Sequence, residues 1–275
     1  MINKPELLYL DLMKKALSFT IWPEPPVEIK PLPTHLPVIK QGISLITGIL
    51  RSVNLVISRA SSVSEADREE GRFWPAYAHT MTGLKRLDNI QQCIETVLRN
   101  NVEGDFIETG VWRGGTCIFM RAALAAYGIT DRKVFVADSF EGLPKPSPEK
   151  FPKDKGDVLH RFSALAVSQE EVEKNFKLYG LLDEQVVFLK GWFKDTLPTA
   201  PIGKLAILRL DGDMYESTMD ALNNLYPKLS RGGFCIIDDY ALETCAKAVE
   251  DFRKEHGINA ELHVVDWTGR YWVKD

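Results

Sequence analysis

The amino-acid sequence predicts an α/β fold in which helices cover both faces of a doubly wound, mostly parallel sheet. Five short runs rich in Val, Ile, Leu and Phe occur between residues 106 and 239, and each is followed by enough chain for a crossover helix. A glycine-rich turn follows the first run, as expected where a strand leads into a helix at a ligand-binding edge. Two further runs near the C terminus flank a tight turn, which predicts an antiparallel hairpin.

The N-terminal part of the chain, residues 1–71, is predicted to be an arm, followed by a main domain over residues 72–275. The arm contains a proline-rich stretch that must be extended, because proline lacks an amide hydrogen and clashes within a helix. Its prolines are Pro23, Pro25, Pro26, Pro31, Pro33 and Pro37. Residues 61–72, rich in Ser, Glu, Asp and Arg, are predicted to be the polar joint between the arm and the main domain.

Residues 43–57 are the most apolar segment of the arm, and their apolar side chains recur at helical spacing. These side chains are Ile43, Ile46, Leu50, Val53 and Ile57. The segment is interrupted by Arg51 and Asn54 and is too short to span a bilayer. We expect an amphipathic helix that packs on the main domain or on a second copy of the chain, which would give a homo-oligomer. Attachment to a membrane surface is the alternative.

The main domain is predicted to alternate helices and strands. An amphipathic helix over residues 84–98 precedes the first strand, and an apolar helix over residues 115–127 follows the glycine-rich turn. The five predicted strands are Phe106–Glu108, Val134–Asp138, Val186–Leu189, Leu205–Asp211 and Phe234–Asp239. The predicted hairpin consists of Glu261–Val265 and Arg270–Val273. Five parallel strands and a terminal antiparallel hairpin are the plan of a class I methyltransferase, a Rossmann-like fold.

Composition narrows the classes of function. The chain has 275 residues, 45% of them apolar, which suits one large domain with an appendage. Its formal net charge is −4 and it has no dense block of Lys and Arg, so we expect no nucleic-acid partner. The four cysteines show no Cys-x-x-Cys spacing and the N terminus lacks the features of a signal peptide, so we expect reduced thiols and a cytoplasmic location.

Four carboxylates follow two of the predicted strands. Asp211 ends the fourth strand and Asp213 lies two residues beyond it, and Asp238 and Asp239 end the fifth. Because neighbouring parallel strands end at the same edge of a sheet, these carboxylates would converge on one crevice, where their repulsion would be costly without a cation. The pattern predicts a hard divalent ion with oxygen ligands. Asp213, close to the ion, is the candidate general base.

The glycine-rich turn after the first strand is a candidate cofactor site. Gly110 would let the backbone approach a ligand, and Glu108 would place a carboxylate at the tip of the strand. A carboxylate there would repel a pyrophosphate and attract an ammonium or a sulfonium, and S-adenosylmethionine carries both. Asp138, at the end of the second strand, suits ribose hydroxyls. A dinucleotide cofactor and a purely structural turn are the alternatives.

Each of these assignments has a simpler alternative. The Asp-Gly-Asp segment could be only a turn, and the second acidic pair could cap the helix that follows it. His160 or His263 could replace Asp213 as the base. Trp192 could stack on adenine or serve only in core packing. Residues 143–168, rich in proline and charge, are predicted to be a lid over the substrate, with a disordered insertion as the alternative.

Six motifs occur in a fixed order along the chain: Glu108–Gly115, Asp138–Pro144, Gly191–Pro198, Leu210–Thr218, Tyr226–Leu229 and Gly232–Tyr240. In type and order they resemble the macrocin O-methyltransferase family of antibiotic-sugar methyltransferases. The resemblance covers roughly residues 75–275. It includes Tyr77–Thr82, which is similar to the segment that closes over the cofactor in that family.

This resemblance implies an O-methyltransferase that depends on S-adenosylmethionine and Mg²⁺ and acts on a sugar or a similar secondary alcohol. It implies that Asp211, Asp238 and Asp239 hold the ion and that Asp213 is the general base. It also implies a set of cofactor contacts: Thr80, Met81, Glu108, Thr109, Gly110, Val111, Trp112, Asp138, Ser139, Phe140, Gly142, Gly191 and Trp192.

The expected function is therefore O-methylation of a hydroxyl of a small-molecule secondary metabolite, with a deoxysugar of a glycosylated natural product as the first candidate. A non-sugar polyketide or peptide alcohol is the alternative acceptor. Two alternatives belong to other classes. They are a dinucleotide-dependent oxidoreductase and a non-catalytic, cofactor-binding scaffold in a biosynthetic complex.

Overall fold

A computed structural model describes residues 4–28, 46–56, 58–59 and 62–275 of the chain. Some residues of the predicted arm lie outside the described residues. Among them are Pro31, Pro33 and Pro37 of the proline-rich stretch, Ile43 and Ile57 of the predicted amphipathic helix, and Ser61 of the predicted joint.

The strands form a small ribbon and one large sheet. In the arm, β1 (Val27–Glu28) and β2 (Ser58–Arg59) pair antiparallel. The large sheet contains β3 (Asp105–Thr109), β4 (Val134–Asp138), β5 (Val186–Lys190), β6 (Leu205–Leu210), β7 (Leu229–Ile237), β8 (His263–Val264) and β9 (Arg270–Val273). Its spatial order is β5-β4-β3-β6-β7-β9-β8. Pairs from β5 to β7 are parallel and β9 is antiparallel to both neighbours, which confirms the predicted parallel strands and C-terminal hairpin.

The strand boundaries differ from the prediction mainly in β7. This strand begins at Leu229 rather than Phe234, because the chain continues the sheet through Gly232 and Gly233 with an irregular register against β6. Both β6 and β7 end immediately before the acidic segments that they were predicted to include. The carboxylates therefore lie in the turns at the carboxyl edge of the sheet.

Helices cover both faces of this sheet. They are α1 (Lys4–Leu17), α2 (Glu65–Glu70), α3 (Leu84–Arg99), α4 (Gly115–Ala126), α5 (Gln169–Leu178), α6 (Phe193–Thr196), α7 (Tyr215–Leu225) and α8 (Glu243–Glu255). One core lies between the sheet and α1, α3, α4 and α5, and the other lies between the sheet and α7 and α8. Successive strand residues alternate between the cores, as Phe106 and Ile107 do. The sheet is doubly wound as predicted, and its strand order reverses between β3 and β6, where ligands bind in such folds.

The first helix of the predicted arm belongs to the main hydrophobic core. Leu10 and Leu17 of α1 are fully buried, in the same core as Ile90 of α3 and Phe119 of α4. Burying each leucine contributes about 1.5–3 kcal/mol relative to leaving it exposed. Part of the arm therefore stabilises the main domain.

The apolar segment of the arm is helical over its described residues 46–52. Its side chains do not have the burial that we expected, because Ile46, Ile49 and Val53 are 53%, 58% and 61% exposed. Packing of these side chains on the main domain is therefore not observed. In the parts of the chain that the structure describes, no helix combines the length and the apolar character needed to cross a bilayer.

The predicted polar joint is a short, capped helix. The Ser64 hydroxyl accepts a hydrogen bond from the Asp67 amide, and the Asp67 carboxylate accepts one from the Ser64 amide, which is a capping box. At the other end of α2, Trp267 Nε1 donates to the carbonyl oxygen of Glu70 at 2.8 Å. The joint is thus tied to the turn of the C-terminal hairpin.

Candidate active site

A cleft opens at the carboxyl edge of the sheet, with an empty volume of about 910 Å³. Part of this volume is open to solvent. Gly110 and Trp112 line it from the turn after β3, Trp192 from the turn after β5, and Asp211 and Asp213 from the turn after β6. The cleft therefore lies where the topology of the sheet predicts a ligand site.

Ten of the thirteen residues implied as cofactor contacts line this cleft: Thr80, Met81, Glu108, Gly110, Val111, Trp112, Asp138, Ser139, Gly142 and Trp192. Thr109, Phe140 and Gly191 do not line it. Thr109 is fully buried in β3, and the Phe140 ring packs against Phe188 with centroids 6.0 Å apart. The amide of Gly191 donates to the carbonyl oxygen of Asp138 at 2.9 Å. These three residues occupy the framework of the cleft.

Gly110 is required by a close backbone approach. Its φ is +83°, and a Cβ at this position would lie 1.6 Å from the carbonyl oxygen of Asp211. The amide of Asp211 also donates to the carbonyl oxygen of Thr109 at 2.9 Å. The glycine-rich turn and the acidic turn are therefore in direct backbone contact, which brings the two predicted halves of the site together.

Three of the four predicted carboxylates converge. Asp211, Asp213 and Asp239 each offer one oxygen, and these oxygens lie within 4.8 Å of one another. The amide of Asp213 donates to Asp239 Oδ2 at 3.1 Å. Asp213 has a left-handed φ of 56°, which Asp adopts more readily than most residues. We call these three residues the carboxylate cluster, and their hard oxygen atoms are the ligands that Mg²⁺ prefers.

The electrostatics of the carboxylate cluster favour a bound cation. Burial raises the pKa of Asp211 and Asp239 well above the usual range, and the neighbouring carboxylates raise it further. Burial, followed by the charges of Asp211 and Asp238, raises the pKa of Asp213 to about 8. Because like charges cause part of each shift, a cation among these oxygens would stabilise their ionised forms.

The fourth carboxylate, Asp238, has a different environment from the one predicted. It is buried, and its two oxygens accept hydrogen bonds from Arg209 Nη2 and Arg86 Nη1. Burial alone would raise the pKa of Asp238, but the two guanidinium groups outweigh burial and lower it. Asp238 is therefore not among the three converging carboxylates. Since an ionised carboxylate has about four lone-pair sites, these contacts still leave it capacity to bind an ion.

Two alternatives from the sequence do not agree with the structure. The residue that precedes α8 is Leu242, and no side chain caps this helix, so the second acidic pair does not act as a helix cap. Neither His160 nor His263 lines the cleft. His263 instead stacks on Tyr271, with ring centroids 4.9 Å apart.

Arg209 is a charged residue of the site that was not predicted from the sequence. It is fully buried on β6, where Nη1 donates to Glu108 and, at 3.0 Å, to Asp211. Its Nη2 donates to Asp238 and, at 2.9 Å, to the hydroxyl of Thr82. One guanidinium thus joins the carboxylate at the tip of β3 to the acidic turns. The available signal was an arginine inside an apolar run, because a charge in a strand buried on both faces must be paired.

Glu108 lines the cleft as predicted, but its carboxylate already forms an ion pair with Arg209. It is 1% exposed; Oε1 contacts Arg209 and Oε2 accepts from Cys117 Sγ at 2.9 Å. Burial raises the pKa of Glu108 despite the nearby guanidinium. Glu108 was expected to attract a cationic ligand. Its charge is instead partly neutralised by Arg209.

Asp138 fixes two turns that line the cleft. Its oxygens accept hydrogen bonds from the amides of Val111 at 2.8 Å and Phe140 at 2.7 Å. Burial raises the pKa of Asp138, although these backbone amides favour its ionised form. Because Oδ1 also accepts a hydrogen bond from the Ser139 hydroxyl at 3.3 Å, Oδ2 is the oxygen better able to accept one from a ligand hydroxyl.

The insertion at residues 143–168 contains three short 3₁₀ turns: Pro152–Asp154, Leu159–Arg161 and Ser163–Leu165. Asp154 accepts hydrogen bonds from the amides of Tyr215 at 2.7 Å and Glu216 at 3.0 Å, at the start of α7. Leu165 lines the cleft. These contacts disagree with the disordered alternative and place the insertion against one side of the cleft.

The cleft also has a polar wall that no local sequence pattern predicts. Lys194, Glu216 and Asp220 line the cleft from α6 and α7. Burial, followed by the charge of Glu216, raises the pKa of Asp220 to about 6. These side chains come from two helices, so their proximity depends on tertiary packing.

Comparison with known proteins agrees with this geometry. The profile of the macrocin-O-methyltransferase (TylF) family matches residues 6–274. Demethyldecarbamoylnovobiocin O-methyltransferase from Streptomyces niveus is 50% identical over 274 residues, covering 99% of this chain and 95% of that protein. The 8-demethyl-8-(2,3-dimethoxy-alpha-L-rhamnosyl)-tetracenomycin-C 4'-O-methyltransferase from Streptomyces olivaceus is 51% identical over 267 residues, covering 96% and 92%.

A solved structure supports the same relationship. The O-methyltransferase NovP matches with a TM-score of 0.83 at 49% identity, covering 98% of this chain and 99% of that one. The similarity extends beyond the range of roughly residues 75–275 that the sequence motifs indicated, since the family profile also includes most of the N-terminal arm. The chain belongs to the macrocin O-methyltransferase family and is an S-adenosylmethionine-dependent O-methyltransferase.

Proposed function

We propose that this enzyme methylates a hydroxyl of a deoxysugar carried by a glycosylated natural product, in a reaction that requires Mg²⁺. The substrate class is supported by the tetracenomycin relative, whose name specifies a dimethoxyrhamnosyl compound as its substrate. The novobiocin relative likewise acts on a modified antibiotic. The four buried, free cysteines suit a reducing compartment, so we place the reaction in the cytoplasm.

One observation carries the mechanistic part of the proposal. Asp211 and Asp213 line the same cleft as Gly110 and Trp112 of the glycine-rich turn. A methyl donor bound at that turn would therefore lie beside the carboxylate cluster. Methyl transfer needs such proximity, because the attacking oxygen must be aligned behind the methyl carbon.

We assign the metal to Asp211, Asp238 and Asp239. Asp211 and Asp239 belong to the carboxylate cluster, and Asp238 adjoins it with lone pairs to spare. When bound, Mg²⁺ would orient neighbouring hydroxyls of the acceptor and stabilise the negative charge that develops on the attacking oxygen. An all-oxygen set of carboxylates suits Mg²⁺ better than a soft metal.

We assign Asp213 as the general base. Its carboxylate takes the proton from the acceptor hydroxyl while the hydroxyl oxygen forms a bond to the methyl carbon. S-adenosylmethionine, when bound, would supply the methyl group, and the electron pair of its broken carbon–sulfur bond would stay on sulfur in S-adenosylhomocysteine. Burial and the neighbouring carboxylates raise the pKa of Asp213 to about 8, which supports a role for this carboxylate as a proton acceptor.

We assign cofactor binding to the ten implied residues that line the cleft, with Asp138 accepting hydrogen bonds from the ribose hydroxyls and Trp192 stacking on adenine. Thr109, Phe140 and Gly191 would hold the surrounding turns in place. The insertion at residues 143–168 would act as the lid over the acceptor.

An acceptor panel tests the substrate class. The enzyme would be incubated with S-adenosylmethionine labelled in its methyl group, and with rhamnosyl glycosides, their aglycones and simple alcohols, each with and without Mg²⁺. We expect the label on a sugar hydroxyl only when Mg²⁺ is present. Label on an aglycone alone would favour the polyketide or peptide alcohol, and binding of cofactor without any transfer would favour a scaffold.

Two matched variants test the roles within the acidic turns. Asp213→Asn should keep Mg²⁺ and S-adenosylhomocysteine binding in calorimetric titrations while kcat falls by about 10²–10⁴-fold. Asp239→Asn should lose Mg²⁺ binding. Loss of Mg²⁺ affinity in Asp213→Asn would instead make Asp213 a ligand, as the convergence of the carboxylate cluster permits.

A further inference from the structure

Arg113 lies in the glycine-rich turn and makes contacts that the sequence did not indicate. Its Nη1 donates to the carbonyl oxygens of Ala76 at 3.0 Å and Ala78 at 2.8 Å. Its guanidinium carbon lies 4.2 Å from the ring centroid of Trp112. Arg113 thus joins the turn after β3 to a segment that precedes α3 in the sequence.

The segment that Arg113 holds leads directly into the cleft. We call residues 76–81 the strap, because Thr80 and Met81 at its end line the cleft. The strap has a second attachment to the same turn, since the amide of Gly115 donates to the carbonyl oxygen of His79 at 2.9 Å. Arg113 therefore holds two carbonyl groups in the first half of the strap. The second half is held at His79 by Gly115 and also by the carbonyl oxygen of Leu17, which accepts from the His79 amide at 2.8 Å.

Arg113 is itself fixed, so it can position other groups. Its carbonyl oxygen accepts a hydrogen bond from Nδ2 of the buried Asn175 at 3.0 Å. The Trp112 ring that it contacts lines the cleft, and Trp112 Nε1 donates to the carbonyl oxygen of Ala164 in the insertion at 2.8 Å. The Arg113–Trp112 pair is thus the point at which the strap, the glycine-rich turn and the insertion meet.

We propose that Arg113 is a positioning residue of the cofactor site, which holds the strap in place so that Thr80 and Met81 are ready to contact S-adenosylmethionine. This inference rests on the proposed placement of the cofactor at the glycine-rich turn. Arg113 touches neither the acidic turns nor a reacting atom, so its contribution is to cofactor affinity. Hydrogen bonds from a charged donor are stronger than neutral ones, and without them the strap must be ordered when the cofactor binds.

The chain supplies a matched control. Arg132 is also half-buried and also donates to two backbone carbonyl oxygens, those of Gly104 at 2.8 Å and Val102 at 2.7 Å. Its guanidinium lies 5.9 Å from the ring centroid of Phe106. Arg132 lies at the amino edge of the sheet, before β4, so it repeats the chemistry of Arg113 away from the cleft.

The experiment compares Arg113→Met and Arg132→Met by calorimetric titration with S-adenosylhomocysteine, which needs no acceptor. We expect the dissociation constant to rise about tenfold in Arg113→Met and to change by less than about twofold in Arg132→Met. An unchanged dissociation constant in Arg113→Met, or equal losses in both variants, would overturn the proposal.

Two further measurements separate positioning from a general structural role. In Arg113→Met, KM for S-adenosylmethionine should rise about tenfold while kcat at saturating cofactor changes less than about twofold. Hydrogen exchange should become faster in the strap and not in β3. Arg113→Lys, which keeps the charge, should recover part of the affinity, and this variant also tests the proposal if Arg113→Met does not fold. No recovery in Arg113→Lys together with unchanged exchange in the strap would contradict it.

The same titrations distinguish failure of this inference from failure of the proposed cofactor site. If the wild-type protein did not bind S-adenosylhomocysteine, the placement of the cofactor would be wrong. If the wild-type and Arg113→Met proteins bound it equally well, only the role of Arg113 would be wrong.

Discussion

The two edges of the main sheet are built from the same strands but differ in whether their charged side chains are buried or exposed. At the carboxyl edge, Glu108, Asp238 and Arg209 are buried with their charges in contact. At the amino edge, the ion pair between Lys204 and Glu103 is exposed to solvent, with side chains 64% and 72% exposed. Burying charges is costly unless they are paired, so the carboxyl edge carries a cost that the amino edge avoids. Such a cost is common at functional sites, and it agrees with the cation binding and proton transfer proposed for this edge.

Backbone strain follows the same division. Trp112, Phe140 and Asp213, in the turns at the carboxyl edge, have left-handed φ values of 48°, 58° and 56°. In the described loops at the amino edge, Asn101 and Gly128 have left-handed values of 51° and 67°, and these residue types adopt them readily. A bulky side chain in this conformation costs about 1–2 kcal/mol. Between the two edges of the sheet, the bulky residues with this strain lie in the turns around the cleft; a further one, Phe19, follows α1 in the arm with a φ of 58°.

The largest expected effect on stability is seen when one glycine at each edge is replaced by alanine. Gly110→Ala should destabilise the protein by more than about 4 kcal/mol, because the new Cβ would meet the carbonyl oxygen of Asp211. Gly128→Ala should cost only about 1–2 kcal/mol, since its φ is also left-handed but nothing lies within 4 Å of the added Cβ. Urea unfolding measures both. Equal losses would show that backbone conformation alone, and not the close approach, requires Gly110.

The next largest effect on stability is expected when one basic side chain at each edge is replaced by methionine. Arg209→Met should lower the free energy of unfolding by about 3–5 kcal/mol, because Glu108 and Asp238 would remain buried without this partner. Lys204→Met removes a cation from an exposed pair and should leave the unfolding midpoint unchanged within error. Similar stability of the two variants would contradict the view that the carboxyl edge depends on paired buried charges.

Removal of the metal gives a third test. Adding Mg²⁺ at about one hundred times its dissociation constant should stabilise the wild-type protein by about 2.7 kcal/mol, seen as a rise in Tm. Asp239→Asn should abolish this rise. In a metal chelator, however, the variant should have a higher Tm than the wild-type protein, because it removes one of three repelling carboxylates. A lower Tm in chelator would mean that repulsion in the carboxylate cluster is unimportant.

The smallest expected effect concerns the insertion that lies against the cleft. Asp154→Ala should cost about 1 kcal/mol, since the amides of Tyr215 and Glu216 at the start of α7 would lose their acceptor. Ser168→Ala removes the local cap of α5 and should cost a similar amount. Only Asp154→Ala should speed hydrogen exchange across residues 143–168. Equal exchange in both variants would show that Asp154 does not anchor the insertion.

Several elements were predictable because their signals are local. The predicted strand Val134–Asp138 agrees with β4, and the predicted hairpin turn agrees with the pairing of β8 and β9. The start of β7 was missed, because Gly232 and Gly233 resemble a turn when only the local sequence is considered. Pairing with β6 on one side and β9 on the other overrides that preference.

The sequence predicted which residues lie at the candidate site better than it predicted which of their charged side chains contact each other. Alternation of strands and helices places the turns after β3, β4, β5 and β6 at one edge, so most of the implied cofactor residues were found at the cleft. The expectation for Asp238 was incomplete, because nothing near it in the sequence identifies Arg86 as a partner. These two residues are 152 positions apart and meet only because α3 packs beside the end of β7.

The sequence by itself determined which residues form strands and helices, and that acidic side chains follow two neighbouring strands, because periodicity and turn chemistry act over a few residues. Tertiary structure alone decided which carboxylates converge, which are neutralised by arginine, and which arginine holds the strap. Those choices depend on the lateral order of the strands and on the docking of α3, α4 and the insertion, so they arise from contacts between distant parts of the chain.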